Sequence, residues 1–167
     1  MQNMELLVQE HGRVIFGLCR KLTPNYQDAE DLYQQTFLTA LGKEIRREEN
    51  PRAFLAKICV SLWKNELRKR SRRSRIAPLS DTEPGDHPGI CDLSADAEER
   101  EQLAVLRACV SRLEERQRLP ALLYYAMELP LTEIAGILHI PEGTVKSRLA
   151  AARRKLREEM EGCGYDG

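Results

Sequence analysis

The chain has 167 residues, with 26 basic and 26 acidic side chains and a formal net charge of zero. That length holds one or two small domains, and no apolar run is long enough to cross a bilayer, which excludes a helical membrane-spanning class. Zero net charge does not exclude a nucleic-acid partner, because the charge is segregated along the chain and the local field decides.

The N-terminus, MQNMELLVQEHG, has no basic region followed by an apolar core, so a secretory signal is not expected and the cytoplasm is the expected compartment. Five cysteines, at positions 19, 59, 91, 109 and 163, form no C-x-x-C pair and no Cys/His ligand cluster. They read as reduced thiols, mostly small core residues, and neither a metal nor a cofactor is expected. His11, His87 and His139 are equally scattered.

Taken in order, residues 4–41 are predicted helical. Val8, Ile15, Leu18 and Leu22 mark one apolar face, interrupted by Gly12 and Gly17. Thr23-Pro24-Asn25 predicts a stop and turn, and Asp28 opens the next helix with acidic residues in its first turn. That helix, DAEDLYQQTFLTAL, buries Ala29, Leu32, Phe37 and Leu41 and presents Asp31, Gln34 and Gln35 as a polar face. Residues 42–51 (GKEIRREENP) form a charged connector.

Residues 52–75 make a basic helix in which Leu55, Ile58, Leu62 and Cys59 are the buried stripe. Lys57, Lys64, Arg68, Lys69, Arg70, Arg72, Arg73 and Arg75 supply positive charge, opposed along the helix by Glu66. Such a cluster can neutralise phosphates and release counterions. Phe54 and Trp63 are interleaved with it; they either stack on unpaired bases or take the commoner course of packing into a core.

Residues 76–94 hold Pro78, Pro84, Pro88, Gly85 and Gly89 without any apolar period, and read as a flexible linker. Helices resume from about residue 95. Leu103, Leu106, Val110 and Leu113 share one face, and Leu119, Leu122, Leu123 and Met127 the next. Pro120 is expected near a helix start, where proline is tolerated, and Leu129-Pro130 ends that helix. The tail EGCGYDG is expected to fray.

Residues 131–160 carry the densest pattern, LTEIAGILHIPEGTVKSRLAAARRKLREEM. Leu131, Ile134, Ala135 and Leu138 give a short helix one apolar face. Pro141 lacks an amide hydrogen and disfavours helix at Ile140, so the first helix stops near His139 and a second restarts at Pro141 or Glu142. Val145, Leu149, Ala152 and Leu156 form the second stripe, while Thr144, Lys146, Ser147, Arg148, Arg153, Arg154 and Arg157 lie off it. Two helices joined by a tight turn, the second longer and basic, read as a helix-turn-helix unit. Periodicity alone leaves both a DNA-reading helix and a merely solvated basic face open.

The string EIAGILHIPEGTVKSRLAAARRKL resembles the promoter-binding helix-turn-helix of bacterial sigma factors, in particular the extracytoplasmic-function (ECF) group, through Glu133-Ile134-Ala135 and residues 143–149, GTVKSRL. DAEDLYQQTFLTAL is similar to the helix by which those factors dock on the clamp of RNA polymerase. Their D-L-x-Q pattern is met by Asp31, Leu32 and Gln34, and Gln35 stands where glutamate is usual. The basic helix lies where the family recognises the minus-ten promoter element, and LEERQRLPALLYYAMELPLTEIAG is similar to its approach to the helix-turn-helix.

The resemblance implies an all-α protein of two small helical domains, residues 1–75 and 95–167, joined by a linker over residues 76–94. It implies core RNA polymerase, promoter DNA and an anti-sigma factor as partners. Asp31, Gln34 and Gln35 are then the polymerase-binding residues. Gly143, Thr144, Lys146, Ser147, Arg148 and Arg153 would meet the minus-thirty-five element, with Lys57, Lys64, Arg68, Lys69 and Arg72 on the DNA near minus ten. Ala150 and Ala151 can touch a thymine methyl but cannot hydrogen-bond a base. No nucleophile–base pair, paired carboxylates or phosphate-cradling glycine loop is visible, so neither catalysis nor a small-molecule substrate is expected. A helix-turn-helix repressor or response-regulator output domain explains residues 131–160 equally well, but leaves the docking-like helix and the first basic helix without a role.

Overall fold

The computed structural model describes residues 4–43, 50–76 and 97–162, so most of the charged connector, the linker and the C-terminal tail lie outside the described residues. The elements are helical throughout and sort into two compact units.

The first unit is built from α1 (Met4–Leu22), α2 (Tyr26–Leu41) and α3 (Pro51–Ile76). Each start after the first has an asparagine cap. Asn25 accepts a hydrogen bond from the Asp28 amide at 2.8 Å. Asn50 accepts from the Arg52 amide at 3.0 Å, with Pro51 at the first helical position, where its missing N–H costs nothing. The restart of the chain is therefore two residues earlier than Asp28, which takes the third position of α2.

All three helices pack on one another. The core takes Leu7, Ile15, Leu18, Cys19 and Leu22 from α1, then Ala29, Leu32, Phe37 and Ala40 from α2. From α3 it takes Leu55, Ala56, Ile58, Cys59, Val60 and Trp63. Phe16, Tyr26, Tyr33 and Phe37 form a run of edge-on and tilted rings with centroids 4.9–5.7 Å apart. Gly12 faces the Tyr33 hydroxyl, and a Cβ there would lie 2.9 Å from that oxygen, so any larger residue at this position displaces the end of the Tyr33 side chain. Thr36 is the polar side chain that enters this core, and its hydroxyl is satisfied by the Leu32 carbonyl at 2.7 Å. The thiols of Cys19 and Cys59, both buried, touch at 3.6 Å across α1 and α3.

Three apolar expectations shift by one residue. Val8 is exposed and Leu7 is the buried neighbour. Leu41 is 60% exposed, because the buried arc of α2 runs through Ala29, Leu32, Thr36, Phe37 and Ala40, and one further residue turns the side chain about 100° away. On α3, Leu62 is only half-buried, and Trp63 carries the packing expected of it.

The second unit contains α4 (Ala97–Ser111), α5 (Glu115–Ala121), a π-helical turn (Leu122–Ala126), α6 (Leu131–Leu138) and α7 (Glu142–Gly162). Leu119, Leu122, Leu123, Met127, Leu129, Ile134, Ile137, Leu138, Val145, Leu149 and Ala152 form its core, joined by Cys109 and Leu113. Leu103 and Leu106, expected on a buried face, are exposed, because the buried side of α4 is reached only at its end.

Pro120 lies inside α5 rather than at its start, and is buried. The wider turn follows directly: the Met127 amide reaches back five residues to the Leu122 carbonyl at 3.1 Å, and Leu129 reaches six to Leu123 at 3.1 Å. Glu128, between them, adopts φ 54. This is how a helix closes its last carbonyls through a left-handed residue.

The same device ends α6. His139 takes φ 56 and ψ 44, and the Ile140 amide bonds the Ala135 carbonyl at 3.2 Å. A left-handed backbone disfavours any residue with a Cβ. Replacing His139 with glycine is expected to stabilise this unit by about 1 kcal/mol, read as a rise in thermal midpoint with unchanged helical content. A lower midpoint would show that the imidazole supplies more than the strain costs.

Candidate nucleic-acid interface

Helix α7 begins after Pro141, whose carbonyl accepts the Thr144 amide at 3.0 Å and the Val145 amide at 3.2 Å. Thr144 therefore spends its amide inside the turn, and an anion-facing role at this helix start falls to the earlier amides, Gly143 among them. Nothing lies within 4 Å of a Cβ built on Gly143, so the space in front of it is open.

Val145, Leu149 and Ala152 turn inward. At about 100° per residue, the face opposite them is centred on Gly143, Ser147, Ala150 and Arg154. Lys146, Arg153 and Arg157 flank it on one side, and Thr144 and Arg148 on the other. Lys146, Ser147, Arg153, Arg154 and Arg157 are exposed, whereas Arg148 is half-buried. The expected DNA-facing residues thus wrap around the helix rather than follow one line. Arg154, at the centre of the outward face, belongs with them. Its signal was available in the sequence, since it follows Gly143 and Ser147 at helical spacing.

The Ser147 hydroxyl donates to the Gly143 carbonyl at 3.0 Å. Its proton is engaged within the helix, so toward a ligand Ser147 offers lone pairs and acts as an acceptor.

In the first unit, Lys57, Ser61, Lys64, Arg68 and Arg72 recur at spacings of four, three, four and four residues and fall within about 80° of arc. They form one basic stripe about 22 Å long, exposed at Lys57, Ser61, Arg68 and Arg72 and half-buried at Lys64. Lys69 lies off the stripe. Trp63 points to the core on the far side of α3, which removes it as a stacking platform, while the half-buried Phe54 lies on the stripe's side.

Arg70 is not part of the free positive charge. Its Nη2 is 2.7 Å from Asp28 Oδ2 on α2, and its Nε is 3.7 Å from Glu66. The hydrogen bond with Asp28 holds its pKa above the usual arginine value, against a partial desolvation. A second carboxylate, from a different helix, thus opposes the basic run, and no spacing along α3 reveals it.

On α2, Asp31, Gln34 and Gln35 are exposed and share a face with Leu38, which is 58% exposed, and Leu41 follows beside Gln34. Polar groups framing exposed leucines are the usual make-up of a protein-docking surface. The leucines escaped sequence reasoning because an apolar residue on an amphipathic helix reads as core. Among the described residues no group of His, Cys, Asp and Glu could hold a metal ion.

Residues 7–73 match the family description Sigma-70 region 2, and residues 103–156 match Sigma-70, region 4. The ECF RNA polymerase sigma factor SigM of Mycobacterium tuberculosis is 31% identical over 152 residues, spanning 90% of this chain and 73% of that protein. SigW of Bacillus subtilis, also an ECF RNA polymerase sigma factor, is 29% identical over 160 residues, spanning 87% and 82%. The fold is that of the sigma factor RpoE of Bartonella quintana, solved in complex with the anti-sigma factor NepR. The TM-score is 0.75 at 24% identity, covering 92% of this chain and 95% of that one.

Proposed function

The chain belongs to the sigma-70 family, in its ECF group, and from that membership we propose how its two helical units divide the work of starting transcription. As a sigma factor it binds core RNA polymerase and directs it to promoters. Residues 1–75 dock on polymerase through the α2 face of Asp31, Gln34, Gln35 and Leu38, and lay the α3 stripe of Lys57, Lys64, Arg68 and Arg72 along DNA near the minus-ten element. Lys69 is a peripheral contact. Residues 76–94 tether the second unit. Residues 95–167 place α7 in the major groove at minus thirty-five, with Gly143 and Thr144 at the groove edge and Lys146, Ser147, Arg148, Arg153 and Arg154 as its contacts.

The work is done without catalysis, by binding energy, in the cytoplasm where polymerase acts. A protein antagonist fits the same picture: the RpoE relative is bound by NepR, and an anti-sigma factor is the corresponding partner here. The observation that carries the reading is the occurrence of both family regions, in order, on one short chain. Run-off transcription with core polymerase and a promoter library tests it. Specific DNA binding without any association with polymerase would transfer the protein to the repressor class.

The docking face makes its own prediction. Changing Asp31 and Gln34 together to alanine is expected to weaken polymerase binding about tenfold or more. Circular dichroism should stay unchanged, because both side chains are exposed. Full affinity in the double variant would move the docking surface off α2.

A further inference from the structure

Asp28 and Arg70 are 42 residues apart and on different helices, yet their side chains meet at 2.7 Å. Both are partly shielded, with side-chain exposures of 27% and 40%. The same Asp28 oxygen receives the Asn25 side-chain amide at 3.2 Å, and the Asn25 carbonyl oxygen in turn accepts the Asp28 backbone amide at 2.8 Å. The carboxylate thus closes the start of α2 and reaches across to α3 at once. On α3, Arg70 continues the arc that runs inward through Ala56, Cys59 and Trp63. Trp63 ends the buried part of that arc, and one more pair of turns brings Arg70 over the start of α2. Relative to the basic stripe of Lys57, Lys64, Arg68 and Arg72, Arg70 is on the opposite side of the helix.

We propose that Arg70 is a positioning residue for DNA engagement: held by Asp28, it fastens the far end of α3 to the polymerase-docking helix so that Lys64, Arg68 and Arg72 meet the DNA backbone in register. Past Trp63 the described part of α3 buries no apolar side chain, so an unfastened end has few contacts to hold its direction. The inference rests on the sigma-factor reading above and extends it, since it ties the helix that meets polymerase to the helix that meets DNA through one ion pair.

The test uses the full chain with core polymerase and a promoter duplex carrying a minus-ten element, titrated across a salt series. Arg70→Gln and Asp28→Asn are each expected to lower promoter affinity about fivefold. They shrink the fraction of free chains with α3 aligned while the bound state keeps its phosphate contacts, so polymerase affinity and the salt slope stay unchanged. Arg68→Gln, on the stripe, should instead reduce the slope by about 0.9. Asp28→Glu, which keeps the carboxylate, should restore most of the affinity lost in Asp28→Asn. A fall in slope for Arg70→Gln like that of Arg68→Gln overturns the proposal, because Arg70 would then be touching phosphate. Unchanged promoter affinity in both Arg70→Gln and Asp28→Asn overturns it too, as does an Asp28→Glu variant no better than Asp28→Asn. A failure of the unaltered chain to form any promoter complex with polymerase would be distinct, and would remove the underlying reading and this one together.

Discussion

Replacing Trp63 with alanine is expected to cost the first helical unit about 3–5 kcal/mol, enough to unfold most of a domain this small. The side chain is 5% exposed and anchors α3 at the end of its buried arc, so the loss is a cavity in the core. The contrasting variant is Trp63→Phe, which keeps an aromatic ring in the site and should keep the fold at a reduced stability. If the indole stacked on unpaired bases instead, alanine would leave stability intact and impair promoter opening alone. Denaturant titration followed by circular dichroism separates the two. In the parent chain the measurement is simpler still, because this is the sole tryptophan and its emission reports the first unit only.

The second large effect lies on α7. Arg148→Ala is expected to cost about 1–3 kcal/mol at the minus-thirty-five element, or about 5- to 150-fold in affinity, while binding to a scrambled duplex changes far less. The half-buried position of Arg148 supports a directed contact, since part of its stem is already held against the domain before DNA arrives. Arg72→Ala, on the exposed stripe of α3, should weaken binding across all sequences and lower the salt slope by about one phosphate's share. Equal losses on matched and scrambled duplexes for Arg148→Ala would restrict that residue to the backbone. Base reading would then fall to Ser147 as an acceptor, to Arg154, or to DNA shape.

Much of this was legible beforehand because helical periodicity and turn chemistry are local. The break at His139 and Pro141 follows from the chemistry of proline, and the inward residues Val145, Leu149 and Ala152 follow from spacing. So does the polar face of Asp31, Gln34 and Gln35. What the sequence withheld is tertiary. Leu7 and Val8 are adjacent and both apolar, and the position of the neighbouring helices selects one for burial. Leu38, Leu41, Leu103 and Leu106 are apolar yet exposed, and a chain read by itself has no partner to account for them. Asp28 meeting Arg70 depends on two helices crossing, and Pro120 is accommodated inside a helix whose next turn widens. Each miss is a case where packing overrides a local preference.

The contact between the Cys19 and Cys59 thiols bears on how the chain survives its own synthesis. The two lie 40 residues apart, a long-range contact inside a unit made of helices whose contacts are otherwise mostly local. Chains of that topology reach the native state in microseconds to milliseconds. Forming a disulfide takes seconds to hours. Folding on that scale, once α3 is complete, is expected to bury the two sulfurs before a disulfide can join them. Once sealed, the hydrogen bond with Cys59, and after it burial, raise the Cys19 pKa, so the reactive thiolate is suppressed. Speed protects the pair while it is open, and desolvation protects it afterwards. A slowly folding variant of this unit, such as one weakened at the α1–α3 junction, would lose the first protection while keeping the second.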